Sequence, residues 1–210
     1  MPKSLPLPDW SGSDVFIIGG GPSLSHFDFD LLWGRCTIGC NQAFRLGGDI
    51  CQICAFGDND FWEAFEVELQ TFGGWVATNY PVPLKPPWLA VYGRQDDGLA
   101  VGPTLAWNAN TGALAANLAL SLGAARVYLL GMDMDSQGKR THWHDRPIQP
   151  QNQDHYHKFQ GGFAQVAQAI PHVFPGRQIF NVTDGSSKLR AFPQVTFDSV
   201  FGKELSCSLT

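Results

Sequence analysis

The sequence predicts an α/β fold in a single domain, with a mostly parallel sheet covered by helices on both faces. Three observations predict it. Strand-like and helix-like segments alternate along most of the chain, the strand-like segments are apolar enough to be buried on both sides, and four polar clusters fall where those segments end. The 210 residues suffice for one domain with a full core. Residues 1–13 read as a Pro-rich lead-in, 14–200 as the domain and 201–210 as a polar tail.

The first strand is "DVFII", and it runs into the glycine turn "GGGPSL", which feeds a helix over "LSHFDFDLLWG". Strands "CTIGCN" and "ICQICAFGD" follow, then the helical pattern of "DFWEAFEVELQTF" and a strand at "GWVATN". The prolines of "PVPLKPPW" keep that stretch out of any helix. "NTGALAANLALSLGA" is the clearest helix: Asn110 or Thr111 can cap it, Ala and Leu fill it, and Gly123 closes it. "RVYLLGMD" is apolar enough to be a central strand, "YHKFQGGFAQVAQAI" reads as helical despite its two glycines, and "RQIFNVT" ends the pattern as a strand. The arrangement is Rossmann-like, and in such sheets ligands bind beyond the carboxyl ends of the strands. Gly19 to Ser23, Asn41-Gln42, Gly57 to Asp60 and Gly131 to Asp135 all lie at such ends.

Lys+Arg 14 against Asp+Glu 19 gives a formal charge of -5 with no block of like charge, so duplex nucleic acid and anionic membranes are not supported as partners. The first residues lack the apolar core of a secretory signal and no run is long and apolar enough to span a bilayer, which predicts a soluble cytoplasmic protein. Of the five cysteines, Cys36, Cys40, Cys51 and Cys54 lie on predicted strands. Cys51 and Cys54, three apart, would point to opposite faces and not converge on one ion, so buried free thiols are expected. Trp62, Trp75, Trp88, Trp107 and Trp143 exceed what a core of this size must bury, leaving surface for a homo-oligomer interface or an acceptor platform.

"GGGPSL" is neither the dinucleotide fingerprint, whose third glycine is missing, nor a Walker loop, since no Gly-Lys-Ser/Thr follows. What it offers is a glycine turn, free N–H groups at a helix start and the Ser23 hydroxyl, which together suit an anion. Asn41 and Gln42 carry amides suited to a base or ribose edge. Asp58 and Asp60 stand where a helix cap is equally expected. Asp133 and Asp135 in "GMDMD" are spaced to hold Mg²⁺ against a diphosphate. His142, His144, His155 and His157 crowd one polar stretch, in which an imidazole can take a proton from an acceptor hydroxyl or a His-x-His pair can bind a metal.

Taken together, "GGGPSL", "CNQAF", "NTGALAANLALSLGAARVYLLGMDM" and "GSSKLRAFP" occur in the order and spacing of a family of bacterial sialyltransferases that use CMP-activated sialic acid. The chain also resembles a wider group of archaeal and phage proteins named after a hydroxymethylpterin pyrophosphokinase (MptE-like), and "THWHDRP" is similar to its phage members. The resemblance spans about residues 14 to 197. The sialyltransferase turn usually carries an asparagine where Gly20 stands here.

That resemblance implies a glycosyltransferase with a nucleotide-activated sugar, CMP-type, as donor and no required metal. It places nucleotide contacts at Gly20, Gly21, Pro22, Ser23, Asn41, Asn110, Thr111, Gly112, Ser186 and Ser187, and a histidine base at His142 or His144. Asp133 would orient the base or the sugar, and Asp58 joins the nucleotide set. An alternative is diphosphate transfer from ATP, in which Mg²⁺ would sit on Asp133 and Asp135. A third is a non-catalytic nucleotide-binding protein. A phage-encoded chain would work in the host cytoplasm.

Overall fold

A computed structural model describes residues 1–135, 141–144 and 153–202. The chain enters the sheet at β1 (Asp14–Ile18), passes two 3-10 turns (Pro22–His26 and Phe29–Leu32), and returns as β2 (Cys36–Cys40). A third 3-10 turn (Asn41–Leu46) leads to β3 (Ile53–Phe56), α1 (Asn59–Leu69), β4 (Trp75–Thr78) and β5 (Leu89–Val91). A small parallel pair, β6 (Gly93–Gln95) and β7 (Thr104–Ala106), precedes α2 (Thr111–Ser121) and β8 (Arg126–Leu130). The last elements are α3 (Gln153–Val173), β9 (Gln178–Val182), β10 (Gln194–Val195) and α4 (Phe197–Phe201).

Eight strands form one sheet in the order β10-β9-β8-β1-β2-β3-β4-β5, and every pairing is parallel. The chain therefore builds outward from β1 in one direction through β5, then returns to the other side of β1 with β8 and builds outward again. Between β1 and β8 the order reverses, the switch point at whose carboxyl side ligands bind in open parallel sheets. Ile18 pairs with Leu130 on one side and Gly39 on the other, so three loop starts meet at this point.

The two-residue period of β1 divides the core. Val15 and Ile17 pack with α2 and α3, whereas Phe16 and Ile18 face the 3-10 turns and α4. Farther along the same second face, Phe44, Phe56, Phe61, Trp62 and Phe72 make an aromatic cluster with α1. Helix α2 is buried all round from Thr111 to Leu120, as a helix sandwiched between sheet and second layer must be. Its one polar interior residue, Asn117, accepts from Ala100 N–H (3.0 Å) and Ala106 N–H (2.8 Å) and donates to Ala100 O (2.8 Å). It ties the loop before β7 to the helix.

The parallel α/β class is as the sequence predicts, with several local differences. The helix expected over residues 24–34 is two 3-10 turns, because Phe27 is extended and Asp28 starts afresh by accepting from Asp30 N–H. Strands β5, β6, β7 and β10, each two or three residues long, are too short to leave a period in the sequence. Gly162 is needed inside α3: a Cβ there would lie 2.3 Å from Asn108 O. Strand β3 begins after Cys51, so alternation does not separate Cys51 from Cys54, and both pack in the aromatic cluster. They are free thiols, and burial pushes Cys51 up to about 12 and Cys54 well above the usual thiol range. Cys207 lies outside the described residues.

Replacing Asn117 by Ala leaves the Ala100 and Ala106 groups unpaired in the core. Urea denaturation should show a loss of about 3 kcal/mol with an unchanged m-value.

Candidate functional site

At the switch point between β1 and β8 lies a cleft of about 620 Å³, counted out to open solvent. Its floor is Gly19 to Gly21 after β1, Cys40 and Asn41 after β2, and Gly131 to Asp135 after β8. The amino end of α2 (Asn110 to Gly112), Thr141 and His142, and Tyr156 and Phe159 of α3 form the walls.

The glycine turn is bound tightly to the end of β8. Gly19 N–H donates to Leu130 O and Gly21 N–H to Gly131 O, both at 2.8 Å. Asp133 accepts from Ser23 twice, from its N–H at 2.8 Å and its hydroxyl at 2.6 Å. A Cβ on Gly21 would lie 2.5 Å from both Asp133 Oδ2 and Gly131 O, so only glycine allows this approach. Behind it, the Asp133 carbonyl accepts from Lys188 N–H (2.7 Å) and the Asp135 carboxylate pairs with Lys188 Nζ (2.7 Å). Burial is the largest influence on the Asp133 carboxyl and raises it above the ordinary aspartate value, with the Ser23 hydrogen bonds opposing.

Residues 141–144 dock onto the same turn. Trp143 donates its backbone N–H to Gly20 O (2.9 Å) and its indole N–H to Gly19 O (2.8 Å). Its ring packs on Phe29 at 4.9 Å between centroids. The His142 imidazole thereby lies over Gly20, where a Cβ would come within 2.7 Å of its Cδ2. Its Nδ1 is 2.8 Å from the Thr141 hydroxyl, and burial lowers its pKa below the ordinary imidazole value.

Two polar atoms of the cleft lining are buried without a hydrogen-bond partner among the described residues: Asn41 Oδ1 and the Tyr156 hydroxyl. Asn41 also holds a left-handed backbone, φ 52°, which asparagine tolerates better than most residues. Burial raises the Tyr156 phenol, and Asp135 and Asp133 add to it, so the group stays a hydrogen-bond donor. Asn110 caps α2 by accepting from Gly112 N–H at 2.8 Å.

Of the residues singled out in the sequence, the cleft brings together Gly20, Gly21, Asn41, Asn110, Thr111, Gly112, Asp133, Asp135 and His142. His144 sits beside His142, ring centroids 5.0 Å apart, but does not line the cleft; His155 and His157 stand on α3. Others have structural work instead. The N–H and hydroxyl of Ser23 are spent on Asp133, and buried Pro22 has no N–H, so this turn is no array of open donors at a helix start. Asp58 caps α1 by accepting from Phe61 N–H (2.8 Å). Ser187 is buried and donates to Met132 O (2.9 Å), tying the 183–189 loop to the end of β8, while Ser186 is exposed. Among the described residues no group of three His, Cys, Asp or Glu side chains is placed to hold a metal. Residues 145–152 of the His-rich stretch lie outside the described residues. Tyr156 and Phe159 were not singled out, because at the start of a long amphipathic helix they read as packing residues.

The two hydrogen bonds from Ser23 to Asp133 make a definite demand on the carboxylate. In Asp133→Asn one of the two Ser23 donors loses its acceptor, and stability should fall by about 1–3 kcal/mol in chemical denaturation.

No protein-family model and no curated protein matches the chain. Among solved structures, it is similar to the sialyltransferase CstII from Campylobacter jejuni in complex with cytidine-5'-monophosphate. The TM-score is 0.52 at 15% identity, over 88% of this chain and 85% of that one. CstII in complex with the substrate analogue CMP-3FNeuAc matches with a TM-score of 0.49 at 16% identity, over 87% and 86% of the two chains. The cytidine-5'-monophosphate complex thus shares the parallel α/β fold described here.

Proposed function

We propose that this protein is a sialyltransferase-like glycosyltransferase that takes a nucleotide-activated sugar of the CMP type. The observation that carries the reading is the pair of buried, unpartnered polar atoms, Asn41 Oδ1 and the Tyr156 hydroxyl, that belong to lining residues of one cleft at the switch point. Unpaired buried polar groups cost about 1–3 kcal/mol each, and a ligand in the cleft is the nearest source of partners. The fold shared with a sialyltransferase bound to cytidine-5'-monophosphate supports a cytidine nucleotide as that ligand.

Electrostatics favours a donor with a single phosphate. The described lining residues include Asp133 and Asp135 and no lysine or arginine, which suits the one negative charge of a phosphodiester better than a triphosphate. That phosphate sits at the amino end of α2, beside Thr111 and Gly112, where the helix dipole is positive. Asn41 accepts from the nucleoside. Diphosphate transfer through Mg²⁺ on Asp133 and Asp135 would first have to release these carboxylates from Ser23 and Lys188.

His142 is the general base. In the tautomer whose Nδ1–H donates to Thr141 Oγ1, 2.8 Å away, the lone pair is on Nε2, at the edge lying over Gly20. The base removes the acceptor hydroxyl proton, the acceptor oxygen bonds to the anomeric carbon, and the carbon–phosphate oxygen bond breaks with its electron pair leaving on CMP.

Saturating CMP without metal should raise the melting temperature by roughly 5–10 °C, and Asn41→Ala should weaken CMP about tenfold. No shift with CMP would overturn the reading, and a shift only with ATP and Mg²⁺ would replace it by diphosphate transfer. With CMP-activated sialic acid as donor, His142→Ala should lose about 10²–10⁴-fold in turnover. Because burial depresses His142, the base stays unprotonated further down in pH. The acid limb of kcat/KM should therefore fall below the ordinary imidazole value of about 6.5.

A further inference from the structure

The glycine turn cannot serve mainly as a phosphate cradle, because Gly19, Gly21 and Ser23 spend their N–H groups on Leu130, Gly131 and Asp133. The opposite edge of the turn, its carbonyls, is occupied as well. Gly19 O accepts the Trp143 indole N–H and Gly20 O accepts the Trp143 backbone N–H. Trp143 is held from a third side by Phe29, which itself packs edge-on against Phe27 at 5.3 Å in the apolar cluster of that sheet face. The residue just before it, His142, then has its ring pressed on Gly20, the glycine of the three whose missing side chain leaves room for it; Gly19 and Gly21 face Met132 and Asp133 instead.

We propose that Trp143 is a positioning residue for the base: by clamping the carbonyls of Gly19 and Gly20 it seats the His142 imidazole on the bare backbone of Gly20, at the mouth of the cleft. The missing side chain at Gly20 is the socket and Trp143 is the latch. This rests on His142 being the base of the proposed transfer. The depressed pKa of His142 agrees with a ring packed against backbone, since burial is its cause. Among the described residues, the other titratable groups by the ring or in the same cleft are His144 at 5.0 Å, Asp133 and Asp135 after β8, Cys40 after β2, and Tyr156 on α3.

Two variants test the seat from its two sides. Trp143→Phe keeps an aromatic ring on Phe29 but removes the indole N–H, and Gly20→Ala fills the socket while leaving the Trp143 bonds in place. The first readout needs no substrate: the imidazole titration of His142 followed by NMR. Its midpoint should lie below about 6.5 in the parent protein and rise toward that ordinary value in both variants. With CMP-activated sialic acid, each variant should lose about tenfold or more in kcat at an unchanged donor KM, and the acid limb should move up with the titration. A merely structural contact would lower stability without moving the titration.

An unmoved His142 midpoint in both variants overturns the seat. If Trp143→Phe fails to fold, Gly20→Ala decides alone by the same titration. Full turnover in His142→Ala would overturn the base itself, a failure read separately from the seat, which the NMR titration would still confirm or reject.

Discussion

The Asp133 carboxylate is the constraint on which the site depends. It stands just after the central strand β8, and with its two oxygens it captures the N–H and hydroxyl of Ser23 from the loop after β1. Adjacent parallel strands at a switch point have no ladder bonds to hold their ends together beyond the last pair. Here that office falls to two bonds of the glycine turn, Gly19 N–H to Leu130 O and Gly21 N–H to Gly131 O, and to one buried side chain. The same residue's carbonyl accepts from Lys188, so the loop after β9 is drawn to the same place. Three loops from three adjacent strands thus take their positions from Asp133. The cost is a carboxylate kept away from water, which its hydrogen bonds offset in part.

Around that anchor the cleft relies on neutral groups. Thr111, Tyr156, Asn41 and an imidazole disfavoured from charging line it, next to two carboxylates already engaged elsewhere. Such a lining holds a ligand through directed hydrogen bonds more than through net charge, so fit to shape and donor pattern decides what enters. The glycines belong to this economy of space. Gly21 lets Asp133 close on the turn, Gly112 admits Met132 against α2, and Gly162 lets α3 lie on Asn108. At each an added Cβ would lie within 3 Å of a neighbouring atom.

The sequence made the parallel architecture legible because long apolar strands and one Ala/Leu-rich helix carry strong periods. It also pointed to strand ends that the fold brings together: Gly20, Gly21, Asn41 and Asp133 line one cleft with Asn110 and His142. It could not tell which members of each cluster face inward. Ser23, Ser187 and Asp58 are polar residues at strand or helix ends, as ligand contacts would be, yet each closes a hydrogen bond that the fold itself requires. Tyr156 illustrates the converse. Nothing in "DHYHKF" distinguishes a phenol that packs from one that faces a cavity, since the difference lies in the residues from other elements that surround it. Trp143 was visible only as surplus aromatic surface, and its indole N–H acquires meaning from one carbonyl 124 residues away.

The sheet narrows from five-residue strands at its middle to β10 with two residues and β5 with three at its borders. A border strand offers a neighbouring molecule a row of backbone groups in proportion to its length. Short borders supply too few for a second sheet to zip on, so copies of this chain are discouraged from joining end to end through backbone pairing. The same tapering that concentrates cohesion at β1 and β8, where the cleft is, keeps the rim of the molecule poor in templates for polymerisation.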